Sequence, residues 1–213
     1  MYRSDESHFD RTHLTDVTAN IVESVPLATL KKHLSVDIDD DDELILMYAR
    51  SAREWIERRT NHLMTYREFR ADLPRFYETI VFPWRPFLEV LSIKYVSTDS
   101  PEVLTTLFDR STSPEVPSNV FREDPGRARI YRSRSESWPV TPQGRHDAVQ
   151  ITFAAGYALA GSPEQPDGVP GALQSAQMLM VGDLYENRES STQLRMEQLP
   201  TAERLMSLWR EWS

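Results

Sequence analysis

The residues best suited to chemistry form an acidic run, Asp37-Ile-Asp-Asp-Asp-Asp-Glu43. Carboxylates at the first, third and fifth positions of a loop are how a calcium-binding loop surrounds its cation. Counted from Asp37, however, the sixth position holds Asp42, where glycine is required, and the twelfth holds Tyr48, where a bidentate glutamate is required. We therefore interpret the run as an N-terminal cap and dipole partner of the helix that follows, because carboxylates stabilise the positive end of a helix.

Other catalytic and metal-binding patterns are missing from the sequence. The five histidines show no His-x-x-x-His spacing, and neither a Gly-x-Ser-x-Gly elbow nor a phosphate-cradling Gly-Lys pair occurs. Asp147 and Glu189 could in principle form a general acid and base pair, but chance pairings are expected among 33 carboxylates. We expect no catalytic residue, no metal and no cofactor, and we do not expect an enzyme.

Composition narrows the class of protein further. The net charge of −9 argues against a phosphate-gripping surface, although an acidic wall would let DNA slide past without sticking. The absence of cysteine excludes disulfides and thiolate metal sites and fits synthesis in a reducing cytoplasm. No run approaches the roughly 20 apolar residues of a membrane span, so we expect a soluble protein without a membrane partner. A chain of 213 residues can form one domain with a real core.

Hydrophobic periodicity predicts an α+β fold with an N-terminal helix pair, a small antiparallel sheet, a long C-terminal helix and a terminal helical tail. The predicted helices span residues 26–34, 41–60, 170–189 and 200–212. The predicted strands span 79–82, 90–96 and 148–153, with a hairpin over 119–132 and either a short strand or a turn over 103–108. We accordingly divide the chain into an N-terminal arm (1–25), one domain (26–189) and a C-terminal tail (190–213).

Individual side chains are assigned from the same periodicity. The helix over 41–60 places an apolar stripe on one side and five charged residues towards water, namely Arg50, Arg53, Glu54, Glu57 and Arg58. Trp55, Trp84 and Trp138 lie in or beside periodic segments and are expected in the core. Trp209 and Trp212 end a short helix with little chain left to cover it, so a partner's groove and the domain's own core are equally good expectations.

Nine short motifs, taken in order from residue 26 to residue 210, resemble the head-tail connector (adaptor or head-completion) family of long-tailed phages and gene transfer agents. The motifs are Leu27-x-x-Leu-Lys-x-His-Leu-x-Val-Asp37, Asp40-Asp-Asp-Glu-Leu-Ile45, Ala52-Arg-Glu-Trp-Ile-Glu57, Phe82-Pro-Trp-Arg-Pro86, Ile93-x-Tyr95, Trp138-Pro139, Phe153-Ala-Ala-Gly-Tyr157, Val169-Pro170 and Leu184-Tyr-Glu-Asn-Arg-Glu189. Two departures are Asn61, where glycine is common after the helix, and the tryptophan-rich C-terminal extension.

The resemblance implies a non-enzymatic virion protein at the head-tail interface, made in the bacterial host cytoplasm. Members of this family form a ring, typically dodecameric, beneath the portal, and the genome passes through its channel without sequence-specific binding. The implied partners are other copies of the chain, the portal protein and a stopper or tail-completion protein. Residues 190–213 are expected to reach the portal, and the candidate portal contacts are Arg188, Leu205, Leu208, Trp209, Arg210 and Trp212.

Two other classes of protein serve as alternatives. A virion-associated hydrolase using a carboxylate pair is suggested by the abundance of acidic residues alone. A DNA-binding regulator would require a salt-dependent interaction with phosphates, which the charge of −9 disfavours.

Overall fold

A computed structural model describes residues 6–8, 14–111, 120–157, 168–187 and 200–209. The chain divides into two compact units. The sheet unit comprises Met1–Asn20 and Arg67–Gly156, and the helical unit comprises Ile21–Tyr66 and Tyr157–Ser213. Because both helices and mainly antiparallel sheets are present, the predicted α+β class is confirmed. These units do not follow the predicted division into arm, domain and tail. Residues of the predicted arm pair with later strands, and residues of the predicted tail pack in the helical core.

The helical unit contains four helices among the described residues: α1 (Leu27–Leu34), α2 (Asp42–Thr60), α3 (Gly171–Glu186) and α4 (Pro200–Ser207). Pro26 and Pro170 directly precede α1 and α3, where a missing N–H costs little. The core consists of apolar side chains from all four helices and from the adjoining segments: Val25, Leu30, Ile45, Ala49, Ala52, Ile56, Met64, Leu173, Ala176, Met180, Val181, Ala202 and Met206. The residues before α1 and those of α4 therefore belong to this core.

Helix α2 buries a different set of side chains from the one predicted. The helical period predicts Leu44 and Tyr48 at the start of the inward stripe, but Ile45 and Ala49 are the fully buried residues there, so the stripe is rotated by one residue at its start. The expectation that Arg53 and Glu57 face water is wrong, because both are buried as members of one ion-pair network. Opposite charges four residues apart usually indicate a solvated helix surface. Their burial depends on tertiary partners that helical periodicity does not indicate.

The sheet unit contains nine strands among its described residues: β1 (Glu6–His8), β2 (Leu14–Asp16), β3 (Arg67–Leu73), β4 (Thr79–Val81), β5 (Phe87–Ser97), β6 (Ser100–Asp109), β7 (Phe121–Asp124), β8 (Arg129–Arg132) and β9 (Val149–Ala155). Five of them form an antiparallel sheet in the order β2-β3-β9-β5-β6. The other four form a sheet in the order β1-β4-β8-β7, in which β1 pairs parallel to β4. Strands β1 and β2 lie within the predicted N-terminal arm, and each pairs with a strand formed by later residues.

The predicted hairpin around Asp124-Pro-Gly126 is confirmed. Strands β7 and β8 pair antiparallel and are joined by a short 3₁₀ turn, Pro125–Arg127. Ala128 follows the turn with φ of 49°, and its N–H donates to the carbonyl of Pro125 at 3.1 Å. The turn thus brings the chain directly into β8.

Aromatic rings form the centre of the sheet unit. Phe153 is fully buried and lies 4.4 Å from Phe82, 5.6 Å from Phe69 and 6.2 Å from Phe87 between ring centroids. These separations lie within or close to the range in which aromatic pairs attract each other beyond simple burial. Phe69 also stacks on Trp84, and Trp138 stacks on Phe76 at 4.6 Å. Trp84 and Trp138 are partly buried and pack against the buried rings of Phe69 and Phe76, and Trp55, also partly buried, packs against the helical core.

Candidate interaction surfaces

The acidic run forms an ion-pair junction between α1 and α2. Lys31 Nζ lies 2.6 Å from Asp39 Oδ1 and 2.8 Å from Asp42 Oδ1, and Tyr185 Oη donates to Asp41 Oδ2 at 2.6 Å. The hydrogen bond with Lys31 lowers the pKa of Asp39, and the same bond raises the pKa of Lys31. Asp42 and Glu43 lie in the first turn of α2, where the helix dipole favours negative charge.

One part of the capping prediction is wrong: Asp41 makes no side-chain capping hydrogen bond to α2. Its carboxylate accepts a hydrogen bond from Tyr185 instead, so it joins α3 to the start of α2. Among the residues that the structure describes, no group of three or more histidine, aspartate or glutamate side chains is placed to hold a metal ion.

A buried charge network ties the segment before α1 to α2. Arg53 Nη1 donates to Glu57 Oε2 at 3.0 Å, and Arg53 Nε donates to Glu23 Oε2 at 3.0 Å. The second oxygen of Glu57 accepts the N–H of Met64 at 2.9 Å. Burial opposes the charge of Arg53, but Glu57 and Glu23 outweigh burial and raise the pKa of Arg53. The guanidinium therefore stays charged while only 1% of its side chain is exposed.

A second buried bridge supports the same segment from α3. Ser24 Oγ donates to Gln177 Oε1 at 2.7 Å, and Gln177 Nε2 donates to the carbonyl of Ala49 at 3.0 Å. Gln177 is completely buried and both of its polar ends are satisfied. Residues 23–25, which the sequence pattern assigned to the N-terminal arm, are thus part of the helical unit.

The predicted portal contacts fall into three groups. Leu205 and Trp209 pack against the helical core, and the Trp209 ring meets His62 edge-on at 5.6 Å. Leu208 is 81% exposed and points away from that core. Arg188, Arg210 and Trp212 lie outside the described residues. Of the two expectations for Trp209, the structure therefore supports contact with its own core.

The outer strands of the five-stranded sheet carry exposed apolar side chains. Val103 and Leu104 on β6 are 59% and 43% exposed, and Val17, directly after β2, is 40% exposed. Within the described part of the chain, β6 pairs with β5 alone and β2 pairs with β3 alone. Sequence reasoning missed β2 and β3; the available signal for β3 was its alternation of buried Phe69, Ala71 and Leu73 with charged residues.

Asp147, considered above as one half of an acid and base pair, is bound by Arg145. Asp147 forms two hydrogen bonds with Arg145, at 2.6 and 3.1 Å, and the bond from Arg145 lowers the pKa of Asp147. A carboxyl group stabilised in its ionised form is a poor proton donor near neutral pH. Glu189 lies outside the described residues, so the structure gives no geometry for the pair.

None of the described helices has the length and apolar character needed to cross a membrane.

The sequence and the fold are similar to those of known virion proteins. The model of the phage gp6-like head-tail connector family matches residues 25–85. A chain in the neck of an empty gene transfer agent particle, computed with C6 symmetry, aligns with a TM-score of 0.68 and 26% identity over 94% of this chain and 96% of its own length. Chains in a native gene transfer agent virion and in a native neck computed with C12 symmetry align with TM-scores of 0.66 and 25% identity over the same shares. No curated protein matches.

These matches define a structural component of the head-tail junction of a phage-like particle. The resemblance found in the motifs is confirmed: residues 25–85 match the model of the phage gp6-like head-tail connector family, and nearly the whole chain is similar to neck proteins of gene transfer agent particles. The expected localisation at the head-tail interface of a virion agrees with the matched necks. The matched family is one of head-tail connector proteins, and the matched chains belong to particle necks.

Proposed function

We propose that this connector forms a ring beneath the portal, completes the DNA-filled head and provides the surface on which the tail docks. The observation that carries the proposal is the alignment of 94% of the chain with neck proteins at 25–26% identity. A match of this extent includes both the sheet unit and the helical unit. The symmetry of the matched particles, C6 in one reconstruction and C12 in another, supports a ring of twelve copies.

The genome passes through the channel of this ring without sequence-specific contact. Support comes from the net charge of −9, because an acidic wall repels DNA phosphates and suppresses adhesion. Binding to DNA would instead require clustered cations that release counterions. The partners are therefore neighbouring copies, the portal protein above and a stopper or tail-completion protein below.

Deletion of the gene tests the role in the particle. Electron micrographs of the resulting particles are expected to show DNA-filled heads without tails. Light scattering of the purified chain, alone and with the portal protein, is expected to show a multimer or a portal complex. Normal virions after deletion, or a chain that stays monomeric and never binds portal, would contradict the proposal.

Portal contact is assigned to the C-terminal segment, residues 190–213, together with Arg188. Leu208 is the described residue of this group that is free to enter a partner's groove, because 81% of its surface is exposed. Leu205 and Trp209 support the segment from within the helical core. Removing everything after Glu189 would also remove the buried Ala202 and Met206, so a point substitution tests the contact more cleanly.

The substitution Leu208→Glu is expected to abolish capture of the chain by immobilised portal protein and to leave its circular dichroism unchanged. Val140→Glu is the matched control, because Val140 is 73% exposed and lies in the sheet unit. Equal capture of both variants would remove Leu208 from the contact and leave the ring proposal standing.

A further inference from the structure

Most of the exposed large apolar side chains of the sheet unit lie on or next to the two outermost strands of the five-stranded sheet. In the described part of this unit, the large apolar side chains exposed to solvent are Val17, Val103, Leu104, Tyr131 and Val140. Three of the five lie on or next to β2 and β6, the outermost strands of the five-stranded sheet. Single exposed apolar residues need no explanation, but a concentration along two sheet edges does.

The centre of strand β6 lacks the residues that usually protect a sheet edge. Its residues Val103 to Phe108 include no charge, no proline and no glycine, whereas Pro101, Glu102 and Asp109 lie outside that run. Exposed edge strands are usually protected from association by lysine, proline or an inward charge. Val103 and Leu104 are consecutive and both exposed, so the start of this run presents apolar side chains to solvent, although the register with β5 shifts between Val96 and Ser97.

Strand β2 offers a complementary edge at the other end of the sheet. The N–H of Val17 donates to the carbonyl of Glu68 at 2.9 Å, so the ladder with β3 continues one residue beyond β2. Arg67 lies 3.4 Å from Asp16 and offsets its charge, which reduces repulsion of an incoming strand that bears carboxylates. The edge from Leu14 to Val17 thus provides four residues of extended backbone.

We propose that β6 of one copy pairs with the edge from Leu14 to Val17 of the next copy, so that the five-stranded sheets of neighbouring subunits join. The inference rests on the proposed ring. A cyclic ring requires a head-to-tail interface, in which each subunit contributes two different surfaces. The opposite edges of one sheet meet that requirement, whereas β6 against β6 would close a dimer. Main-chain hydrogen bonds supply the affinity, as in other cases of strand addition.

The absence of cysteine from the chain makes the pairing testable by cross-linking. The double variant Thr15→Cys with Thr105→Cys places one thiol on each edge, and a thiol-specific reagent with a short flexible arm tolerates the unknown register. Under conditions in which light scattering detects the multimer, with portal protein present if required, we expect a ladder of covalent oligomers. Each single variant is expected to remain uncross-linked, since only unlike edges meet.

Three outcomes would overturn the pairing. A multimer that yields no ladder from the double variant rejects the edge contact and leaves the ring intact. A covalent dimer from Thr105→Cys alone indicates β6 against β6. Failure of the unmodified chain to multimerise, with or without portal, rejects the ring itself and the pairing with it.

A charge placed on β6 tests the proposed strand pairing independently of cross-linking. Val103→Lys is expected to raise the protein concentration needed for half-assembly about tenfold, because a desolvated ammonium disfavours strand pairing. Val140→Lys is the control, and it is expected to assemble like the unmodified chain. Because Val103 is 59% exposed, the variant should keep its circular dichroism spectrum. Assembly of Val103→Lys at the unmodified concentration would contradict the proposal.

Discussion

The helical unit and the sheet unit are stabilised by different interactions. In the helical unit, a buried guanidinium and two carboxylates fix a non-helical segment against α2. In the sheet unit, stacked aromatic rings fill the interior and the described core contains no comparable buried ion pair. Buried charges demand particular partners, whereas aromatic packing tolerates modest changes of shape. We therefore expect large losses of stability from substitutions at a few positions of the helical unit. In the sheet unit we expect moderate losses at several positions.

The largest effect is expected for Arg53→Met. It leaves Glu57 and Glu23 without their cation inside the helical unit, which costs about 3–5 kcal/mol of unfolding free energy. Urea unfolding followed by circular dichroism measures the loss. Arg58→Met on the exposed side of α2 is the control, with an expected change below about 0.5 kcal/mol. Equal effects for the two variants would show that the network does not stabilise the unit.

A moderate effect is expected for Phe153→Leu in the sheet unit. The substitution keeps the position apolar but removes ring contacts with Phe69, Phe82 and Phe87, at an expected cost of about 1–2 kcal/mol. Hydrogen exchange of β9 amides reports the loss where it occurs. A cost as large as that of Arg53→Met would remove the proposed difference between the two units.

A smaller effect is expected at Asn61, which ends α2 in the left-handed conformation with φ of 60°. Asn61→Val should cost about 1 kcal/mol, because a β-branched side chain clashes with the backbone there. Asn61→Gly should stay within about 0.5 kcal/mol of the unmodified chain, because glycine adopts this conformation freely. Thermal unfolding of the two variants compares them, and tolerance of valine would argue against a conformational requirement at this helix end.

The smallest effects concern the exposed ion pairs, one in each unit. The pKa of Asp39 and that of Asp147 are lowered by Lys31 and Arg145, so both carboxylates stabilise the folded chain above the ordinary aspartate pKa of about 3.9. This stabilisation is lost as the pH falls through their folded pKa values. Asp39→Asn and Asp147→Asn should therefore flatten the pH dependence of urea unfolding below about pH 4. An unchanged dependence in both variants would contradict the assigned pairs.

Regular elements with strong local signals were predictable from the sequence. Pro26 and Pro170 mark the starts of α1 and α3, and Asp124-Pro-Gly126 marks the hairpin. Strand β3 was missed because Glu68, Arg70 and Asp72 are weak strand formers, and its apolar alternation alone had to indicate the strand.

Features that depend on distant residues were not predictable. Arg53 pairs with Glu23, thirty positions earlier, and Trp209 contacts His62 and the helical core, which distant parts of the sequence form. The same limit applies to the interaction surfaces. The composition of β6 suggested a strand, but only the strand order places it at the edge of a sheet.

The division of the chain into units also has a consequence for synthesis on the ribosome. Helices α1 and α2 emerge early, but their core is completed by α3 and α4, which begin at Gly171 and Pro200. The larger part of the sheet unit, Arg67–Gly156, lies between these two stretches of sequence, β1 and β2 precede α1, and all of the described strands end by Ala155. The sheet can therefore form while the apolar side of α2 still awaits its partners. Exposed apolar surface of this kind is what chaperones bind, so the nascent chain needs such protection until α4 has been synthesised and packed.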